Sequence, residues 1–285
     1  SEQTVSATPG KVFSATRSGI LFEDDDPASP VKFTTDLTFI GTELAGNGST
    51  LAFISGIEVT FDAEPIRSMN IIGNNSTLTM LNAAFVENCN LDNLTLTGVV
   101  NISNGNTTTG ELINAGTMQN LTGSHRDLNI NGNFTNNGTV GISNYSFDMT
   151  FSGNIVNNGL WASSDIFFDA AVDQQIVSSP GAYIYCDLIK DNDANSKIIL
   201  DGDLEIHHGV INLDYATMDA NGYKITLRDG AYLRYSFINQ AVLGGRFRCY
   251  TDCVFTGTTS IVDTLENYSV NNSVSYTHLT LPTIY

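Results

Sequence analysis

Basic side chains are scarce in this chain. Its 285 residues hold 12 Lys and Arg against 30 Asp and Glu, a formal net charge of −18. Nucleic acids and anionic membrane surfaces are held by Lys/Arg patches, so the deficit argues against both as partners. Charge of either sign is thin, at 15 % of residues. The polar surface is therefore left to Asn, Thr, Ser and Gly, a profile that suits an extracellular scaffold. No stretch is apolar for long enough to span a bilayer, so no membrane insertion is expected within this stretch. No signal peptide is visible and the chain does not begin with Met. A cleaved leader and a truncated fragment would both look like this.

Cysteine is sparse and irregularly spaced. There are four, Cys89, Cys186, Cys249 and Cys253, with no CxxC pair and no nearby His, which disfavours zinc. Four cysteines allow three complete pairings, and sequence does not choose among them. Cys249 and Cys253 in one straight strand would have Cα atoms about 13 Å apart, too far for a disulfide without a bend. Isolated buried thiols are the expectation.

What is present is repetition. Gly110-Glu-Leu-Ile-Asn-Ala-Gly116-Thr-Met118, Gly132-Asn-Phe-Thr-Asn-Asn-Gly138-Thr-Val140 and Gly153-Asn-Ile-Val-Asn-Asn-Gly159-Leu-Trp161 share one pattern, at steps of 22 and then 21 residues. Leu112, Phe134 and Ile155 fall in register, as do Asn114, Asn136 and Asn157. A fixed period near twenty residues marks a solenoid. Leu128, Ile130 and Phe134, and then Phe147, Met149, Phe151 and Ile155, alternate with polar neighbours, and a period of two means strand. Gly and Asn are read as corners because both tolerate left-handed backbone. The expected fold is therefore all-β, a right-handed parallel β-helix with coils of about 21 residues, the hand following from the general rule for parallel crossovers. At one coil per about 4.8 Å, roughly eleven coils make on the order of 50 Å. An apolar fraction of 41 % suffices for a continuous core.

Three segments are expected along the chain. Residues 1–30, with Pro9, Pro27, Pro30 and the acidic run Glu23 to Asp26, read as an N-terminal arm or irregular cap over the first coil. Residues 31–273 read as the β-helix. Residues 274–285 look like the reading-frame translation of a transposon-type sequencing adapter and are set aside as a non-native tail. The natural chain is then expected to continue past Ser273.

The Gly-Asn-x-x-Asn-Asn-Gly coils, the string Ile199-Leu-Asp-Gly-Asp-Leu-Glu-Ile206 and Asp219-Ala-Asn-Gly-Tyr-Lys-Ile-Thr-Leu227 resemble the large secreted parallel β-helix surface proteins of Gram-negative bacteria. The resemblance spans about Val31 to Asn272. It implies secretion and an adhesin-like role, with export through a C-terminal sorting domain that these residues do not include.

Each candidate site has a plain structural reading beside it. Asp191-x-Asp193-x-Asn195 has the oxygen spacing that opens a calcium loop, but Ser196 and Gly202 stand where that loop needs Gly and Glu, and a polar turn explains it as well. His207-His208 cannot chelate one ion from a straight strand, whose successive side chains oppose, and its register with Asn136-Asn137 makes it a corner. Asp201, Asp203 and Glu205 share one strand face, as either an acidic cleft or a solvated surface. Arg246, Arg248 and Asp252 are no more specific. Outward tyrosines among Tyr183, Tyr185, Tyr223, Tyr232, Tyr235 and Tyr250 would form a glycan- or protein-binding strip, while core and corner filling is the commoner fate. Thr95, Thr97 and Thr107 to Thr109 do not recur at the coil period, which argues against a threonine ladder. No residue is assigned to catalysis, to a cofactor or to a metal. The expected function is a non-catalytic extracellular or cell-surface stalk or adhesin-like module whose partner is a glycan or cell-surface ligand. The alternative is a carbohydrate-active β-helix enzyme, a polysaccharide lyase or glycoside hydrolase.

Overall fold

Alternating apolar side chains with no helical spacing leave the backbone one economical way to pair its amides, strand against strand. The computed structural model describes residues 3–5, 12–22, 30–82, 84–103, 105–120, 126–141, 147–163, 165–191, 195–214, 216–250, 253–261, 264–267, 275–276 and 279–280. Among these the regular elements are strands, and the strands pair in parallel as a β-solenoid of about 11 turns with roughly 20-residue spacing. The chain divides into two compact units, Ser1–Phe147 and Asp148–Tyr285.

In the first unit a coil contributes three short strands. Asn106–Thr108, Leu112–Asn114 and Thr117–Gln119 pair in register with Arg126–Ile130, Phe134–Asn136 and Thr139–Val140. Leu112 meets Phe134, as the repeat predicts, and both are fully buried. Phenylalanines stack at coil spacing, with Phe33 on Phe53 at 5.7 Å and 8° between rings, and Phe39 on Phe61 at 4.9 Å and 9°. Each fully buried Leu, Ile or Phe side chain is worth about 1.5–3 kcal/mol relative to exposure. Stacking also includes the strands Gln3–Val5 and Val12–Phe22, which pair with Val31–Phe33 and Leu37–Gly46.

The Asn-x-Gly signature has a specific physical origin. Asn114 and Asn136 are completely buried. The Asn114 amide donates to Asn136 Oδ1 at 2.9 Å and to the Thr139 carbonyl at 3.0 Å. Each side-chain oxygen also accepts from the N–H two residues on, Gly116 at 3.3 Å and Gly138 at 3.2 Å. These glycines are not in left-handed backbone, contrary to the corner argument. A Cβ on Gly138 would instead collide with the Gly116 carbonyl, and one on Gly132 with the Gly110 carbonyl. Glycine is required here because two backbones converge.

In the second unit Gln174–Ser178, Tyr183–Tyr185 and Leu188–Asp191 pair with Lys197–Leu200, Leu204–His207 and Val210–Asn212. Those pair in turn with Thr217–Asp219, Lys224–Arg228 and Tyr232–Arg234. Ile155 meets Ile176, and Asn157 meets Ser178. Trp161 is fully buried beside Phe151 and donates its indole N–H to Ser163 Oγ at 2.8 Å. Ser275–Tyr276 and Leu279–Thr280 pair in parallel with the strands Cys253–Thr256 and Thr259–Ile261.

Replacing Asn114 by Ala removes a buried donor and leaves the Thr139 carbonyl and the Asn136 amide oxygen short of a partner. The expected loss is about 1–3 kcal/mol in denaturant unfolding. Thr135→Ala, on the outward side of the adjacent strand, is expected to change stability by less than about 0.5 kcal/mol.

Candidate functional site

The strand Leu204–His207 turns Leu204 and Ile206 inward and leaves Glu205 and His207 outside. Parallel pairing sets Thr226 beside Glu205 and Arg228 beside His207 on one side, and Tyr185 beside His207 on the other. The outward side chains of three successive coils thus meet at His207. Its Nε2 lies 2.7 Å from Glu205 Oε1 and its Nδ1 lies 2.8 Å from Asp229 Oδ2. Arg228 Nε donates to the same Glu205 oxygen at 2.5 Å. Burial of Glu205 opposes its ionisation. Hydrogen bonds from His207 and Arg228, reinforced by their charges, outweigh that and hold its carboxyl below the usual glutamate range.

Two acids in the turn that precedes this strand are also tied to the next coil. Tyr223 donates its hydroxyl to Asp201 at 3.2 Å, and the Lys224 N–H donates to Asp203 at 2.9 Å. The bond to Asp201, with that carboxylate's charge, raises the Tyr223 hydroxyl pKa. Only Glu205 lies on the strand; Asp201 and Asp203 sit in the turn between Lys197–Leu200 and Leu204–His207, so the expected single strand face is corrected, and all three brace a neighbouring coil.

Aromatic rings flank this cluster. Tyr183 lies 4.5 Å from His207 between ring centroids. Tyr185, 43 % exposed, stacks on His208 at 5.2 Å with only 7° between the planes. Tyr232 and Tyr250 meet edge to face at 4.5 Å. None of Tyr183, Tyr185, Tyr223, Tyr232, Tyr235 and Tyr250 is buried, so of the two expected fates, core filling and corner covering, the first is corrected, while Tyr235 stands at a corner. Ile184 takes the inward position between Tyr183 and Tyr185, and alternation forces both tyrosines out. His208, at a φ of 66°, occupies the corner assigned to it.

The remaining candidates separate. Asp191 is 1 % exposed and Asn195 is exposed, while Asp193, like Asp24 to Asp26 and Asp252, lies outside the described residues. Among the described residues no group of three or more His, Cys, Asp or Glu is placed to hold a metal ion. Arg246 pairs in register with Thr264, and Arg248 with Glu266.

Sequence reasoning missed a threonine file in the first unit. Thr38, Thr60, Thr79 and Thr97 stand in register on consecutive coils, and the Thr79 and Thr97 hydroxyls are 2.6 Å apart. The steps are 22, 19 and 18 residues, so no fixed period exposes them. That unit also carries a groove of about 290 Å³ lined by Gly48, Ser68, Asn70, Asn88, Asn90 and Thr107. Two of its amides bond within the chain, Asn70 to the Gly48 carbonyl at 2.8 Å and Asn90 to the Thr109 hydroxyl at 3.4 Å.

Comparison with protein families, with curated proteins and with solved structures finds no match for this chain.

Because the folded Glu205 titrates below its unfolded value, its stabilising contribution is complete above the unfolded pKa, about 4.3. That contribution is lost as pH falls through the folded value. The unfolding midpoint of the parent protein should therefore exceed that of Glu205→Gln at pH 7, and the difference should shrink below about pH 4.

Proposed function

We propose that this chain forms a non-catalytic, extracellular or cell-surface β-solenoid that serves as a structural stalk or adhesin-like binding module and binds a neutral glycan. The observation that carries the reading is the paired tyrosine and histidine rings on the outer face, Tyr183 with His207 and Tyr185 with His208. Flat, partly exposed rings held at coil spacing offer the apolar face of a sugar ring a stacking surface, and the polar edges beside them can bond its hydroxyls. A net charge of −18 favours a neutral ligand over a polyanion.

The hydrolase reading needs a carboxylic acid that stays protonated near neutrality. Glu205 is held in the opposite state by His207 and Arg228. Asp201 and Asp203 are engaged with the neighbouring coil. The cluster therefore supports braced architecture better than acid–base work.

On an array of neutral and acidic glycans, the full chain should bind neutral members. Tyr185→Ala combined with His208→Ala should weaken that binding at least tenfold, about 1.4 kcal/mol, without altering the strand signature in circular dichroism. Binding that survives the double substitution would remove this face from the reading. Release of reducing or unsaturated ends from a polysaccharide, with or without calcium, would replace the binding role by catalysis.

A further inference from the structure

Cys249 ends the strand Val242–Cys249 and Cys253 begins the strand Cys253–Thr256. Both side chains are fully buried, at 0 % exposure. In the coil they stack upon, Cys249 pairs with Leu233 and Cys253 with Ser236, two inward residues on either side of a corner at Tyr235, whose φ is 45°. A bend of the kind a disulfide requires therefore stands at the matching place in the neighbouring coil. Both side chains turn inward beside this corner, and both thiols are free in this structure. The Cys253 side chain beside it, together with burial, raises the Cys249 thiol pKa.

The other two cysteines sit differently. The Cys89 thiol donates to the carbonyls of Ile66 at 3.4 Å and Glu87 at 3.3 Å. Cys186 is 1 % exposed, and burial, with the charges of Asp187 and Asp165, raises its pKa. All four thiols are buried and free in this structure, as expected, but only Cys249 and Cys253 flank one corner.

We propose that Cys249 and Cys253 form an intrachain disulfide that staples this corner when the chain folds in the presence of a small-molecule disulfide oxidant. A thiolate from one cysteine attacks the oxidant, forming a mixed disulfide and releasing one small thiol. The second cysteine then displaces the other small thiol and closes the bridge. Two S–H bonds are lost and one S–S bond is gained. Two electrons and two protons leave the protein, and one oxidant molecule becomes two thiols. Burial suppresses the Cys249 thiolate in the finished fold, so the bond closes while the corner is forming. The inference is independent of the glycan-binding reading.

The test is to refold the full chain in mixed reduced and oxidised glutathione, then denature it, alkylate the free thiols and map the peptides by mass spectrometry. Of the four cysteines, Cys89 and Cys186 should be alkylated, and Cys249 and Cys253 should appear in a bridged peptide. Reductant should lower the thermal midpoint of the parent and leave that of Cys253→Ser unchanged. Four alkylated thiols in a chain that has regained its strand signature would overturn the proposal. So would a bridge from either residue to Cys89 or Cys186.

Discussion

Amide-to-carbonyl pairing between successive coils is the constraint on which the rest of this protein depends. It fixes neighbouring backbones about 4.8 Å apart and leaves them parallel. Each side chain then has a counterpart directly above or below, facing the same way. A position tolerant of bulk in one coil must match its counterpart in the next. Leu112 with Phe134 and Phe33 with Phe53 satisfy that inside the wall. Where the wall turns and backbones converge, even a methyl group is excluded, as at Gly132 and Gly138. The buried Asn114 and Asn136 satisfy backbone groups that the turn would otherwise leave unpaired.

The same register organises the outside. Parallel pairing brings Tyr185, His207 and Arg228 to neighbouring heights from three separate coils. Carboxylates that would repel if left alone become struts, because each finds a donor one coil away. Arg67 does the same in the first unit, lying 2.8 Å from Glu43 and 2.9 Å from Glu87 and crossing over the Phe85 ring. Such exposed pairs contribute little individually. Their larger effect is to hold outward side chains in fixed rows, which suits a surface that presents groups repetitively.

Much of the architecture was legible because Gly110 to Trp161 repeats almost without error. Strand period, parallel stacking and the partnership of Leu112 with Phe134 all follow from that stretch. The threonine file escaped because its coils shorten from 22 to 18 residues, and a search for fixed spacing averages it away. The outward placement of Tyr183 and Tyr185 was readable from the alternation around Ile184, which takes the inward position between them. The placing of Cys249 and Cys253 on either side of one corner depends on where the coil bends, and residue order alone does not fix that. The His207 cluster joins Glu205, Arg228 and Asp229 across two coils, so only the inter-coil register reveals it.

The unequal steps of the threonine file show how such a protein can drift over evolutionary time. Thr38, Thr60, Thr79 and Thr97 keep their alignment although the chain between them gains or loses several residues. The corners absorb the difference. Small insertions and deletions there cost little loop-closure entropy and leave the flat walls undisturbed. Descendants could therefore diverge in length and wording while their outward rows stayed in line, and resemblance between them would fade from the sequence well before it faded from the surface.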